Sequence, residues 1–183
     1  MSEYRIASRY AKSLIDLSQE NNILDEVNGN IDYFLKVHAD NVGIQALLKN
    51  PIVSIEKKQS ILKSVFSENT NPLTMLFYNL VVKKGRSKYL PLIAKEFVNQ
   101  YNVINNISFA TVKTASALDA QTSKEIKDFI SKSTGKTIKV TEVVDPSLIG
   151  GVWLKIEDKL YDASISGSLR KAKKQLLNTY ISK

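Results

Sequence analysis

Asp145-Pro-Ser-Leu-Ile-Gly-Gly-Val-Trp-Leu-Lys-Ile-Glu-Asp-Lys-Leu-Tyr-Asp-Ala-Ser-Ile-Ser-Gly-Ser-Leu169 reads as a turn, a strand, a hairpin, a second strand and the start of a helix. Asp145 and Pro146 favour a turn, and Gly150-Gly151 permits backbone conformations or close approaches that a residue with a Cβ resists. Val152, Leu154 and Ile156 alternate with Trp153, Lys155 and Glu157, the period of a strand. Trp153 sits within that alternation, so covering the sheet is a simpler role for it than binding a ligand.

Outward from this stretch, the final helix is expected from Ile165 to Tyr180, with Leu169, Ala172, Leu176 and Leu177 on one face. Upstream, Thr137 to Val144 reads as a strand carrying Ile138, Val140 and Val143. It is preceded by a helix from Asp119 to Ser133 with Ile126, Phe129 and Ile130 inward and Gly135 as its stop. Asp119 can cap that helix, and Thr122 with Glu125 is a second capping candidate. Ile107, Phe109 and Val112 belong to a strand ending near Thr114. The expected order is β, α, β, β, α, a small α+β unit.

Before Tyr101 the pattern is helical throughout. The first helix, Glu3 to Gln19, carries Ile6, Ala7, Tyr10, Ala11, Leu14, Ile15 and Leu17 over an arc wider than one core-facing stripe needs. Asn21-Asn22 breaks it. Further helices follow with Leu24, Val27, Ile31, Phe34 and Leu35, then from Val42 to Leu48, then after Ser54 as N-cap. Leu73 to Val82 is apolar almost all round and ends at Lys83-Lys84-Gly85, cations and a terminating glycine. Leu92, Ile93, Phe97, Val98 and Tyr101 mark the sixth helix. Short breaks imply an antiparallel six-helix bundle over residues 1–105, followed by the α+β unit over residues 106–183. The fold class is α+β overall.

The chain of 183 residues is 43% hydrophobic, enough for packed cores, and has no cysteine, which excludes disulfides and thiolate chemistry. No apolar run approaches the roughly 20 residues a membrane helix needs. The start, Met1-Ser-Glu-Tyr-Arg, lacks the apolar core of a secretory signal, so a bacterial cytoplasmic protein is the simplest expectation. A net charge of +8 admits nucleic acid, anionic lipid or an acidic protein as partner. The densest cluster, Arg170-Lys171-Ala172-Lys173-Lys174, wraps over more than one side of a helix, as a solubilising surface does, and no aromatic run or zinc-finger spacing accompanies it.

Ser133-Thr-Gly-Lys-Thr137 contains Gly-Lys-Thr, but a phosphate-binding loop needs glycine where Ile130 stands and a strand before it, not a helix. His38, the single histidine, has no clustered carboxylates or cysteines with which to hold a metal. Asp145, Glu157, Asp158 and Asp162 gather near the hairpin, where an acid–base pair is conceivable and turn preference explains Asp145 and Asp158 more simply. No catalytic residue, cofactor or metal is expected.

Ile149-Gly-Gly-Val-Trp-Leu-Lys-Ile156 and Asp162-Ala-Ser-Ile-Ser-Gly-Ser-Leu169 resemble the C-terminal signature of the delta subunit of F-type ATP synthases, the bacterial counterpart of the mitochondrial oligomycin sensitivity-conferring protein. Ile6-Ala-Ser-Arg-Tyr-Ala-Lys-Ser-Leu14 resembles that family's opening helix, and Gly85-Arg86 followed by Leu90-Pro91 its junction between the fifth and sixth helices. One departure is Ala163, where the family often has glycine. The resemblance implies a non-catalytic stator link, peripheral to the bacterial cytoplasmic membrane on its cytoplasmic side and monomeric when isolated. It implies a six-helix domain seated on the catalytic head, gripping N-terminal segments of alpha subunits between helices one and five, and a C-terminal part that meets the b subunits. Carried onto this chain, the alpha-binding surface would hold Ile6, Tyr10, Ser13, Leu17, Phe77 and Leu80, with internal core as the alternative role for each. The b-binding surface would hold Leu169, Leu176 and Leu177, residues equally suited to covering the small sheet. The competing classes are a basic nucleic-acid-binding protein, whose affinity would fall steeply with salt, and an enzyme using a carboxylate of the hairpin.

Overall fold

The computed structural model describes residues 3–156 and 158–181. Met1 and Ser2, and with them part of the reading of the N-terminus, lie outside the described residues, as does Glu157 with its place in the strand and among the acid–base candidates. The chain forms two compact units, one ending at Ile104 and one beginning at Asn105.

The first unit packs six helices: α1 (Glu3–Glu20), α2 (Leu24–Asp40), α3 (Val42–Lys49), α4 (Ile55–Phe66), α5 (Pro72–Lys83) and α6 (Leu90–Ile104). Their ends are set by local chemistry. Asn22 enters the left-handed region at φ 56° between α1 and α2. Asn41, Ser54 and Asn71 accept backbone N–H groups of Ile44, Lys57 and Leu73 at the starts of α3, α4 and α5. Gly85, at φ 68°, closes α5: its N–H donates to Val82 O and that of Arg86 to Val81 O, satisfying two orphan carbonyls.

Inside the unit, Phe34, Phe66 and Tyr78 form an aromatic cluster with ring centroids 5.2 to 6.0 Å apart. Burying one such ring is worth roughly 1.5–3 kcal/mol. Ala7 and Ala11 are fully buried on α1, whose wide apolar arc therefore divides in two. Ala7, Ala11, Leu14 and Ile15 enter the core, while Ile6, Tyr10 and Leu17 stay at its margin. Buried Lys58 donates to Ser87 Oγ at 3.0 Å, and Ser87 in turn to Leu48 O at 2.9 Å, so the ammonium does not stand unpaired.

In the second unit, β1 (Ile107–Thr114), α7 (Ala120–Thr134), β2 (Thr137–Val144), β3 (Gly151–Ile156), β4 (Lys159–Ser164) and α8 (Ile165–Ile181) succeed one another. The sheet runs β2-β1-β3-β4, with β1 and β2 parallel and the other pairs antiparallel. This is one strand more than the expected β, α, β, β, α order, because the hairpin contributes two strands beyond β1 and β2. Asp119 caps α7 by accepting from Thr122 N at 2.6 Å, and Gly135 ends it at φ 66°.

Ala110, Val112, Ile130 and Ile156 form the core, joined by Ile126, Ile138, Val140, Val152 and Leu154. Phe129, expected inward, is not there, and neither is Val143 of the expected strand. Phe129 is 70% exposed, since α7 covers the β1–β2 half of the sheet and Phe129 hangs over its edge. Val143 is exposed because Ile138 and Val140 occupy the inner face and the pleat sends odd-numbered residues of β2 to the other side. None of Leu169, Leu176 or Leu177 joins the core, which among the described residues is closed by Ile126 and Ile130 of α7 with Leu118 before it. Among the described residues no helix is long and apolar enough to cross a membrane.

Candidate interaction surfaces

The glycines and the aspartate of the C-terminal stretch hold a strand-to-helix corner. Ser164 is the N-cap of α8: its Oγ accepts from Gly167 N at 3.0 Å and donates to Asp162 Oδ1 at 2.6 Å. Asp162 also accepts from Ser164 N at 3.0 Å, and these hydrogen bonds hold its carboxyl below the usual range. A Cβ on Gly167 would lie 2.5 Å from the Asp162 carboxylate, and one on Gly151, at φ 78°, 2.3 Å from Ala163 O. Ile165 N donates to Gly150 O at 3.0 Å, tying the root of α8 to the start of β3. Trp153 is half-buried beneath the Lys113 ammonium, 5.0 Å from its ring centroid, a packed position.

Asp145 is likewise engaged, accepting from Ser147 N and Oγ and pairing with Lys113 at 3.9 Å, with its carboxyl also held low by the Ser147 bonds. An acid–base pair needs two groups with pKa values driven apart. Here Asp145 and Asp162 are driven the same way, and both stay ionised at neutral pH. His38 stacks on Phe34 at 6.1 Å, and burial, then Lys49 and Lys95, lower its pKa. Among the described residues no cluster of three or more His, Cys, Asp or Glu could hold a metal.

What both units do offer is apolar surface. In the first, Tyr10 of α1 meets Phe77 of α5 edge to face, 6.3 Å between centroids, so the outer rows of the two helices adjoin. Of the six residues expected there, Ile6, Tyr10 and Phe77 are half-buried along the seam. Leu17 and Leu80 are exposed, and Ser13 is exposed with its hydroxyl donating to Arg9 O at 3.0 Å. Two neighbours escaped the sequence reading. Leu76, 68% exposed, is four residues before Leu80 on the same helical row, a spacing that could have identified it. Arg86 donates from its guanidinium to Tyr10 Oη at 2.9 Å while lying 5.4 Å from that ring's centroid, a contact 76 residues apart in sequence and without local signal.

In the second unit, Leu169, Leu176 and Leu177 are each more than half exposed on α8. Their spacing places them on one face of the helix, beside Ala172. A separate open groove of about 570 Å³ lies between α7 and the β3–β4 hairpin, lined mainly by Phe129, Val152, Leu154, Ile156 and Tyr161. It exists because one crossover helix cannot span four strands.

A protein-family model described as the ATP synthase delta (OSCP) subunit matches residues 6–176. The chain is 34% identical over 180 residues to the ATP synthase subunit delta of Geobacillus sp. (strain WCH70), covering 97% of this chain and 99% of that one. It is also 34% identical over 178 residues to the ATP synthase subunit delta of Flavobacterium psychrophilum, covering 97% and 100%. The chloroplastic ATP synthase subunit delta of Ochrosphaera neapolitana is 34% identical over 172 residues, covering 93% and 96%. Among solved structures, a chain of the Toxoplasma gondii mitochondrial ATP synthase hexamer shares the fold with a TM-score of 0.69 at 22% identity, over 93% of this chain and 97% of that chain.

Proposed function

Since the chain belongs to the ATP synthase delta (OSCP) family, we propose that its α1–α5 face receives an N-terminal helix of an alpha subunit and that α8 meets the b subunits of the peripheral stalk. The protein is a non-catalytic stator component of the F-type ATP synthase. In this reading residues 1–105 grip the catalytic head and residues 106–183 the stalk, and rotor torque on the head during proton-driven ATP synthesis is resisted through the two interfaces in series. The protein is monomeric alone and reaches the cytoplasmic face of the bacterial membrane through the complex.

The observation that carries this reading is that each unit, taken by itself, has an exposed apolar helical row among the described residues: Leu76 and Leu80 in one, Leu169, Leu176 and Leu177 in the other. An amphipathic helix laid on such a row removes it from water without needing any reactive group. Calorimetric titration of the full chain with the N-terminal peptide of its own organism's alpha subunit tests the first interface. Saturable binding with a negative heat-capacity change, surviving high salt, is expected. Leu80→Glu, which removes a leucine worth roughly 1.5–3 kcal/mol when buried, should weaken it more than tenfold. The C-terminal peptide of the b subunit and Leu176→Glu form the second arm. A folded protein that binds neither peptide would sink the proposal.

A further inference from the structure

We propose that the α1–α5 face is polarised in charge along its length, so that it selects an amphipathic helix with carboxylates at one end and fixes the direction in which that helix lies. The inference rests on the docking face proposed above and adds to it a sense of direction.

Two sets of contacts orient the helices. Past the C-terminal end of α5, Arg86 bonds Tyr10 at 2.9 Å and Lys88 pairs with Glu3 at 3.8 Å, so that end lies beside the N-terminal half of α1. At the opposite end, Asn71, the N-cap of α5, donates to Glu26 at 2.9 Å. Glu26 stands in the first turn of α2, just after α1 ends. The two helices therefore run antiparallel.

Charge changes sign along both. On the flank of α1 beside Tyr10 and Leu17, Arg9 gives way to Glu20, both exposed, while Glu3 on that row is neutralised by its pair with Lys88. Beside α5 the order is reversed, with Glu26 at its start and exposed Lys83, Lys84 and Arg86 at its end. Antiparallel packing gathers like with like: Arg9, Lys83, Lys84 and Arg86 at one end of the face, Glu20 and Glu26 at the other. The 12 residues of α5 span about 18 Å, roughly twice the Debye length at physiological salt, so the two ends act as separate sites.

Arg86 is the focus of the basic end. Tyr10 holds its guanidinium by hydroxyl and ring, and among the described residues no carboxylate lies within ion-pair distance of it. It is pre-positioned for a carboxylate brought by a partner. The apolar rows alone would accept an amphipathic helix in either direction. With the charges included, a helix whose acidic end lies over Arg86 and whose basic end lies over Glu20 is favoured, and the reverse places like charges together. A uniform polyanion such as nucleic acid matches only one end.

The test uses the full chain and the synthetic alpha N-terminal peptide. Arg86→Glu and Lys84→Glu should each weaken binding roughly tenfold at low salt, with less effect at high salt. Lys84→Glu guards against a disturbed Tyr10 contact. Carbodiimide treatment of the wild-type complex, which joins touching carboxylates and amines, should link peptide carboxylates to Lys83 or Lys84. Wild-type binding with unchanged affinity in both variants, or with no coupling to either lysine, overturns the polarity and leaves the docking face standing. No binding by the wild-type protein overturns both.

Discussion

Replacing Gly151 by alanine should loosen the second unit while leaving the first intact. The residue sits at φ 78°, a conformation that costs a residue with a Cβ roughly 1–2 kcal/mol. The added methyl would also lie 2.3 Å from Ala163 O, a backbone atom that cannot rotate away. Reaching even 3.0 Å requires β3 and β4 to part there by about 0.7 Å, which forfeits a ladder hydrogen bond worth about 1 kcal/mol. The sum is about 2–3 kcal/mol, against roughly 4–12 kcal/mol of total stability for a unit of about 80 residues. Hydrogen–deuterium exchange of the full chain is the assay. Amides of β3 and β4 should exchange roughly 30- to 150-fold faster, with α1–α6 unchanged. Gly150→Ala is the control, because its methyl would meet only the rotatable tip of Ile165, at 2.8 Å. Equal protection in the two variants would refute the argument that backbone approach at Gly151 is what the sheet depends on.

Other positions carry smaller consequences. Tyr78 Oη is buried with no hydrogen-bond partner among the described residues, and burial raises its pKa, so Tyr78→Phe should stabilise the first unit by up to about 1 kcal/mol in urea denaturation. His38 has a folded pKa below its usual value, so the unfolded chain takes up the proton first. Stability should therefore fall as pH drops below about 6.5, and urea midpoints across that range should show a shallower slope in His38→Gln. Ser164→Ala removes the cap of α8 and should cost about 1 kcal/mol, read as faster exchange of the first turn of that helix.

The six helices and α7 were legible because the chemistry is local: Ser54 and Asp119 as caps and Gly85 and Gly135 as stops each act within a few residues of themselves, although the caps at Asn41 and Asn71 went unread. The strands were legible by alternation. What periodicity could not give was cover. Phe129 and Leu169 lie on apolar helical faces as regular as that of Ile130, and only tertiary packing decides that Ile130 meets Ala110, Val112 and Ile156 while Phe129 lines the groove over β3–β4 and Leu169 stays exposed on α8. The edge of α1 was visible as an over-wide arc, yet its pairing with Phe77 and Arg86 depends on contacts across more than 60 residues. Leu76 was overlooked because an all-round apolar α5 hides which side faces water.

The corner at Ser164 also determines how the second unit yields to force. A pull on α8 loads the end of β4, an edge strand paired only with β3, together with the bond from Ile165 N to Gly150 O at the start of β3. Peeling β4 away breaks that bond and the ladder but leaves α8 joined to β3 by the covalent chain. The six residues of β4 thus act as stored slack, about 20 Å of chain that can pay out before the load reaches the strand next to the centre of the sheet. A strut built this way is stiff under small loads and lengthens, without parting, under large ones.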